Sequence, residues 1–180
     1  MILSPNAGNI ARVAGIVERG GVAIAPAGTV FGVIADAGNA AAVDAVYSLK
    51  ARARSKKFLV NVSRLDGLEG LEAALARAFW PGDLSIVVNG VGYRVPSDPV
   101  LAEILRAVGR PLVSTSCNRA GGSPALSAAE AEAAFPDIPV IDSRAPLSGV
   151  PSTIVEVVGG KIRILRRGSV AAGDIRRAIC

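Results

Sequence analysis

Five cations and no acid occupy Lys50 to Lys57, the stretch "KARARSKK", directly before the apolar run "FLVNV". Grouped Lys and Arg suit phosphate oxygens, because both charge and N–H donors match an anion. The same run could grip nucleic acid, or simply keep a helix terminus solvated against the negative end of its dipole. The lack of interleaved acids, and the exit straight into a strand, favour a binding role. In "PLVSTSCNRAGG" an apolar strand runs into Ser114, Thr115, Ser116 and Asn118, then Gly121 and Gly122. Small hydrogen-bonding side chains at a strand end can meet phosphate or carboxylate oxygens, and glycines permit close backbone approach. A turn rich in Ser and Asn is the plainer alternative. Ser152 and Thr153 open the strand "STIVEVV", a polar pair that by itself reads as a cap or turn. In "KIRILRRG" strict alternation places Ile162, Ile164 and Arg166 on one face. An inward Arg166 then needs an anionic partner, either a protein carboxylate or a bound phosphate. Finally, "PAGTVFG" ends an apolar run at Pro26 and offers Gly28 for close approach and Thr29 for hydrogen bonding.

What is missing narrows the chemistry. The chain of 180 residues contains no histidine. That excludes Ser-His-Asp and Cys-His nucleophiles and any histidine metal site. No Walker A loop is present, and no GxGxxG follows a strand. Cys117 and Cys180 are too few and too far apart in sequence for a disulfide framework or a zinc site. No metal ligand is assigned. The net charge of +5 is compatible with an anionic partner.

The elements that must position these residues alternate. Helices are expected over "NIARVAGIVERGG", with Ile10, Val13, Ala14 and Val17 inward, and over "NAAAVDAVYSLKA", "GLEGLEAALARAF", "SDPVLAEILRAVG" and "SAAEAEAAF". Strands are expected over "VAIAP", "FLVNV", "LSIVV", "GYRV", "PLVST", "IPVID", "STIVEVV" and "KIRIL". Asn89-Gly90 and Gly159-Gly160 read as hairpin turns. Helices mixed with hairpins predict an α/β, α+β-like domain with a mixed sheet, and no compositional break divides residues 1–180 into two. No apolar window long enough for a membrane helix is uninterrupted, and the N-terminus lacks the pattern of a secretory signal, so a cytoplasmic protein is expected.

In this order the stretches resemble the YrdC-like family, whose enzymatic members are threonylcarbamoyl-adenylate synthases. "PAGTVFG" is similar to the family's Pro-Thr-acid-Thr-Val-Tyr-Gly loop, Lys50 and Arg52 to its Lys-x-Arg helix end, and "WPGDLSIVV" to its Trp-Pro-Gly and strand. "YRVPSDP", "STSCN", "STI" and "LRRG" follow in family order, so the resemblance spans about Ile10 to Gly168. It implies a twisted mixed sheet with flanking helices and a concave basic face. It further implies that L-threonine, bicarbonate and ATP, with Mg2+ carried on the phosphates, give threonylcarbamoyl-AMP and pyrophosphate. A partner enzyme would then modify an adenosine of tRNA. By the same resemblance Lys50 and Arg52 are the catalytic pair, and Arg52, Lys56, Ser85, Ser116, Asn118 and Arg166 bind ATP. Thr29, Asn61, Arg94, Ser114 and Ser152 would form the L-threonine side.

The chain departs from the pattern at Ala27 and Gly28, where the family usually has Thr and an acid, and at Asn61, where many members place His. Cys117 replaces a small Ala. The resemblance implies the short, single-domain form. The departures leave two other readings open: a non-catalytic RNA-binding or regulatory paralogue, and an ATP-dependent carbamoyl-type transfer to another acceptor.

Overall fold

The computed structural model describes residues 1–119 and 121–179; Cys180 lies outside them. The chain begins β1 (Ile2–Leu3), α1 (Ala7–Glu18), β2 (Ala23–Pro26), β3 (Phe31–Asp36), α2 (Ala40–Leu49), β4 (Leu59–Asn61) and α3 (Gly70–Phe79). It continues β5 (Leu84–Val88), β6 (Val91–Arg94), α4 (Pro99–Val108), β7 (Leu112–Ser116) and α5 (Ala128–Ala134). Last come β8 (Val140–Ile141), β9 (Thr153–Val158), β10 (Lys161–Arg166) and α6 (Ala172–Arg177).

Local chemistry sets the helix ends. Asn6 Oδ1 accepts from the Asn9 N–H at 2.9 Å to start α1, whose buried residues are Ile10, Val13, Ala14 and Val17. Asp98 caps α4 by accepting from the N–H groups of Val100 and Leu101, Pro99 follows it, and Gly109 ends the helix in the left-handed region. Ser127 caps α5, accepting from the Glu130 N–H at 3.2 Å. The Glu130 carboxylate reaches back to the Leu126 N–H at 2.8 Å, one residue before the cap itself.

The strands form one ten-stranded mixed sheet in the order β1-β8-β2-β3-β7-β4-β6-β5-β9-β10. β1/β8, β2/β8, β4/β6 and β5/β9 are parallel, and the other neighbours antiparallel. Alternation splits the core. Ala23, Ala25, Ile34 and Leu112 pack with α1 and α4 on one face. Ile24, Val33, Ala35 and Val113 pack with α2 and α5 on the other, where Leu84, Ile86 and Val155 meet Leu75 of α3 and Ile175 of α6. Two helices therefore cover only part of the first face. By register, the uncovered part carries Ser114, Asn61, Arg94 and Ser85 on four neighbouring strands. Among the described residues no helix packs over these polar side chains.

The expected mixed architecture is present, with local differences: β1 and α6 lie outside the expected elements, and two further differences have a physical reason. "FGVIAD" is a strand the alternation did not predict: all six residues are buried, so no polar face marks its period. The parity of β10 is also corrected. Ile164 pairs with Val155 but Arg166 pairs with Ile154, a bulge that inserts Leu165. Arg166 thus leaves the face of Ile162 and Ile164, which pack with α3 and α6 residues, and turns to the uncovered face with Ile154.

Candidate active site

Two cavities open on the uncovered face and meet at Arg52 and Ser116, which line both. The first, about 180 Å³, is lined by Ala27, Thr29, Arg94, Ser114, Ser152 and Arg166 among others. The second, about 350 Å³, is lined by Lys50, Arg52, Lys56, Ser116 and Asn118 with neighbouring backbone.

The second cavity is shaped by the end of α2 and the loop after it. Lys50 is 7% exposed and turns inward. Its Nζ donates to the Ser116 carbonyl at 2.6 Å, to Asn118 Oδ1 at 2.7 Å and to the Asn118 carbonyl. Burial pushes its pKa down to about 8, and neighbouring Arg52 pushes the same way. Asn118 is committed in turn: Oδ1 also accepts from Ser116 Oγ at 2.7 Å, and Nδ2 donates to the Arg119 and Gly122 carbonyls. Lys50, Ser116 and Asn118 therefore form a braced loop. Arg52 donates through Nε to the Lys56 carbonyl at 2.9 Å and lies over the Phe58 ring. Lys56 is exposed at the cavity rim. Arg54 is no part of this grip. It pairs with Asp44 of α2 at 2.5 Å, so the run does find an acid, one helical segment earlier than the stretch itself displays. Lys57 donates to the Gly90 carbonyl at 3.1 Å and lines the first cavity.

The first cavity is built largely on strands, and most of its polar side chains are buried. Thr29, Arg94, Ser114 and Ser152 in its lining are buried, and Asn61 and Ser85, fully buried, lie outside the lining of both cavities. Arg94 Nη2 donates to the Ala27 carbonyl at 2.7 Å and to Asn61 Oδ1 at 3.2 Å, and Nε to Asn61 Oδ1 at 3.3 Å. Burial pushes the Arg94 pKa down, Asp83 holds it up, and Arg166 pushes it down further. Ser85 Oγ lies 3.0 Å from Ser152 Oγ. Arg166 clamps Ser152, donating to its carbonyl at 2.8 and 3.0 Å and to its Oγ at 3.0 Å. Thr153 points away and donates to the Val170 carbonyl at 2.7 Å. Ser85 and Arg166, expected with the nucleotide, thus sit in one hydrogen-bonded chain with Ser152. Asp83, beside Arg94 at 3.7 Å, was not singled out from the sequence. Its signal was weak, a lone acid after Trp-Pro-Gly. Among the described residues no group of three or more His, Cys, Asp or Glu is arranged to hold a metal ion.

Fold and site define an α/β protein with two adjoining cavities, one lined by Lys50, Arg52 and Lys56, and a smaller one where buried hydroxyls stand beside Arg94 and Arg166. The Sua5/YciO/YrdC family model, described as "Telomere recombination", matches residues 15–168, and the chain belongs to that family. A Mycobacterium tuberculosis protein is 33% identical over 94% of this chain and 88% of its own length. The threonylcarbamoyl-AMP synthase of Thiobacillus denitrificans is 32% identical over 81% of this chain and 89% of its own. The crystal structure of P. abyssi Sua5 complexed with L-threonine superposes with a TM-score of 0.91 at 23% identity, covering 99% of this chain and 61% of that one. This chain therefore spans about three fifths of that protein, and the superposition shows the shared fold.

Proposed function

We propose that the chain is a threonylcarbamoyl-AMP synthase, a nucleotidyltransferase that consumes L-threonine, bicarbonate and MgATP. The observation that carries this reading is the meeting of the two cavities at Arg52 and Ser116, which puts a space lined by Lys50, Arg52 and Lys56 against a buried Arg94 and its hydroxyl neighbours. Family membership and relatives bearing that name support it.

In this reading the threonine carboxylate lies against Arg94, and the Thr29, Ser114 and Ser152 hydroxyls orient the rest of the amino acid. Its amine combines with bicarbonate, losing water, to give a carbamate. A carbamate oxygen then attacks the α-phosphorus of ATP, the bond to the bridging oxygen breaks, and pyrophosphate leaves. No protein nucleophile is required, so the absence of histidine is no obstacle. The work is positioning and charge neutralisation. Arg52 and Lys56 supply charge to the phosphates, and Lys50 acts behind them by bracing the Ser116–Asn118 loop. Mg2+ arrives with ATP as part of the substrate. The product serves the modification of tRNA through a partner enzyme. No helix among the described residues is long and apolar enough to cross a membrane.

The test is pyrophosphate release by the purified chain with MgATP and bicarbonate, with and without L-threonine. Release that depends on threonine supports the synthase. Release indifferent to threonine points to another acceptor, and no release from folded protein points to a paralogue without the reaction.

A further inference from the structure

Among the described residues two buried side-chain polar atoms have no hydrogen-bond partner, Asn61 Nδ2 and Asp83 Oδ1. Buried orphans are uncommon enough that each calls for a reason. Here both flank one guanidinium. Asn61 Oδ1 accepts from Arg94, which fixes the amide orientation and leaves Nδ2 as the spare donor. Asp83 Oδ1 stands 3.7 Å from Arg94 Nη1, close enough for charge attraction and too far for a hydrogen bond.

We infer that Asp83 is a positioning residue: as the counter-ion of Arg94 it holds that guanidinium in the orientation that receives the amino-acid substrate. The substrate assignment rests on the synthase reading, and the pairing rests on geometry. A cation that is 4% exposed needs an anionic neighbour, and its other contacts are the neutral Ala27 carbonyl and the Asn61 amide oxygen. Arg166 adds like charge nearby and Asp98 opposes it, but among the described residues only Asp83 forms an ion pair with Arg94. Backbone bonds hold Asp83 in place: its carbonyl accepts from the Thr153 N–H at 3.0 Å, and the Gly82 N–H donates to the Val95 carbonyl at 2.9 Å.

The carboxylate also occupies space that another residue has ceded. Gly28 has φ +87°, and a Cβ there would stand 3.1 Å from Asp83 Oδ1 and 4.0 Å from Arg94 Nη1. Positions 28 and 83 are thus two alternative sources for one carboxylate beside Arg94, and this chain uses the second. Any side chain is strained at this φ, and Asp tolerates positive φ better than most residues.

The experiment uses the full chain and the variants Asp83→Asn, Asp83→Ala and Asp83→Ala/Gly28→Asp. Asp83→Asn is expected to raise the KM for L-threonine about tenfold, the loss of one charge-assisted contact, with the KM for ATP unchanged. The double variant is expected to recover most of what Asp83→Ala loses. An unchanged threonine KM, an equal rise in both KM values, or a folded double variant no better than Asp83→Ala would overturn the inference. A second readout needs no turnover: in 15N spectra of the arginine side chains, Asp83→Asn is expected to speed rotation of the Arg94 guanidinium. An Arg94 signal identical to wild type would overturn the pairing. If wild type releases no pyrophosphate, the synthase reading fails while the Arg94 spectrum still decides the role of Asp83.

Discussion

On one side of Arg52 the cavity is lined by cations from a helix end and its loop, open to solvent at Lys56. On the other, buried hydroxyls and the buried Arg94 guanidinium stand on strands, with Lys57 and Arg166 at the edge. Phosphates carry charge enough to be held by groups that reach out from a loop, with the loop itself braced from behind by Lys50. A small amino acid has few features to read, so selecting it calls for polar groups fixed on rigid strands. The two regions also differ in how they are satisfied. The cationic side spends its bonds internally on carbonyls, while the buried side keeps two atoms, Asn61 Nδ2 and Asp83 Oδ1, without a hydrogen-bond partner.

Truncation on the buried side should cost most. Arg94→Ala is expected to lower kcat/KM for threonine by about a hundredfold and stability by about 3 kcal/mol, since Asp83 and Asn61 lose their partner. Urea unfolding alongside kinetics checks both. On the cationic side, Arg52→Ala should lower turnover by about a hundredfold yet leave the urea midpoint nearly unmoved, because the residue is only half-buried. A matching stability loss would erase the contrast between the cavities. Thr29→Ala is expected to raise the threonine KM about tenfold without touching the KM for ATP. An unchanged value would take Thr29 off the amino-acid side.

A smaller effect concerns Lys50. Its folded pKa of about 8 lies below the ordinary 10.5, so between these values the unfolded chain binds the extra proton. Its contribution to stability therefore rises with pH across that window. Activity should move oppositely, falling severalfold above pH 8 as the brace on Asn118 loses its charge. In Lys50→Arg, which stays charged, that falling limb should shift upward or vanish in the pH–rate profile. Least of all, Arg54→Ala should change neither KM nor the urea midpoint, because its pair with Asp44 is exposed.

Much of this contrast was legible in the sequence, unevenly. The helix with Ile10, Val13, Ala14 and Val17 inward and the Asn89-Gly90 hairpin followed from local rules. The cations of "KARARSKK" announced themselves, but their division of labour did not: which one meets Asp44 and which turns inward depends on helix geometry. β3 was hidden by its continuous burial. Arg166 reached the site for a reason alternation could not supply, since a bulge is invisible to a period of two. Asp83 was overlooked because a carboxylate in a tight corner gains meaning only from Gly28 and Arg94 across the fold.

The central claim is that the two cavities hold different substrates side by side. A crystal structure of the chain with L-threonine and a non-hydrolysable ATP analogue tests it most directly. The account predicts the threonine carboxylate on Arg94 with the Thr29, Ser114 and Ser152 hydroxyls around it, and the phosphates on Arg52 and Lys56 with Lys50 still braced against Asn118. Phosphates seated on Arg94, or threonine bound away from it, would contradict the account.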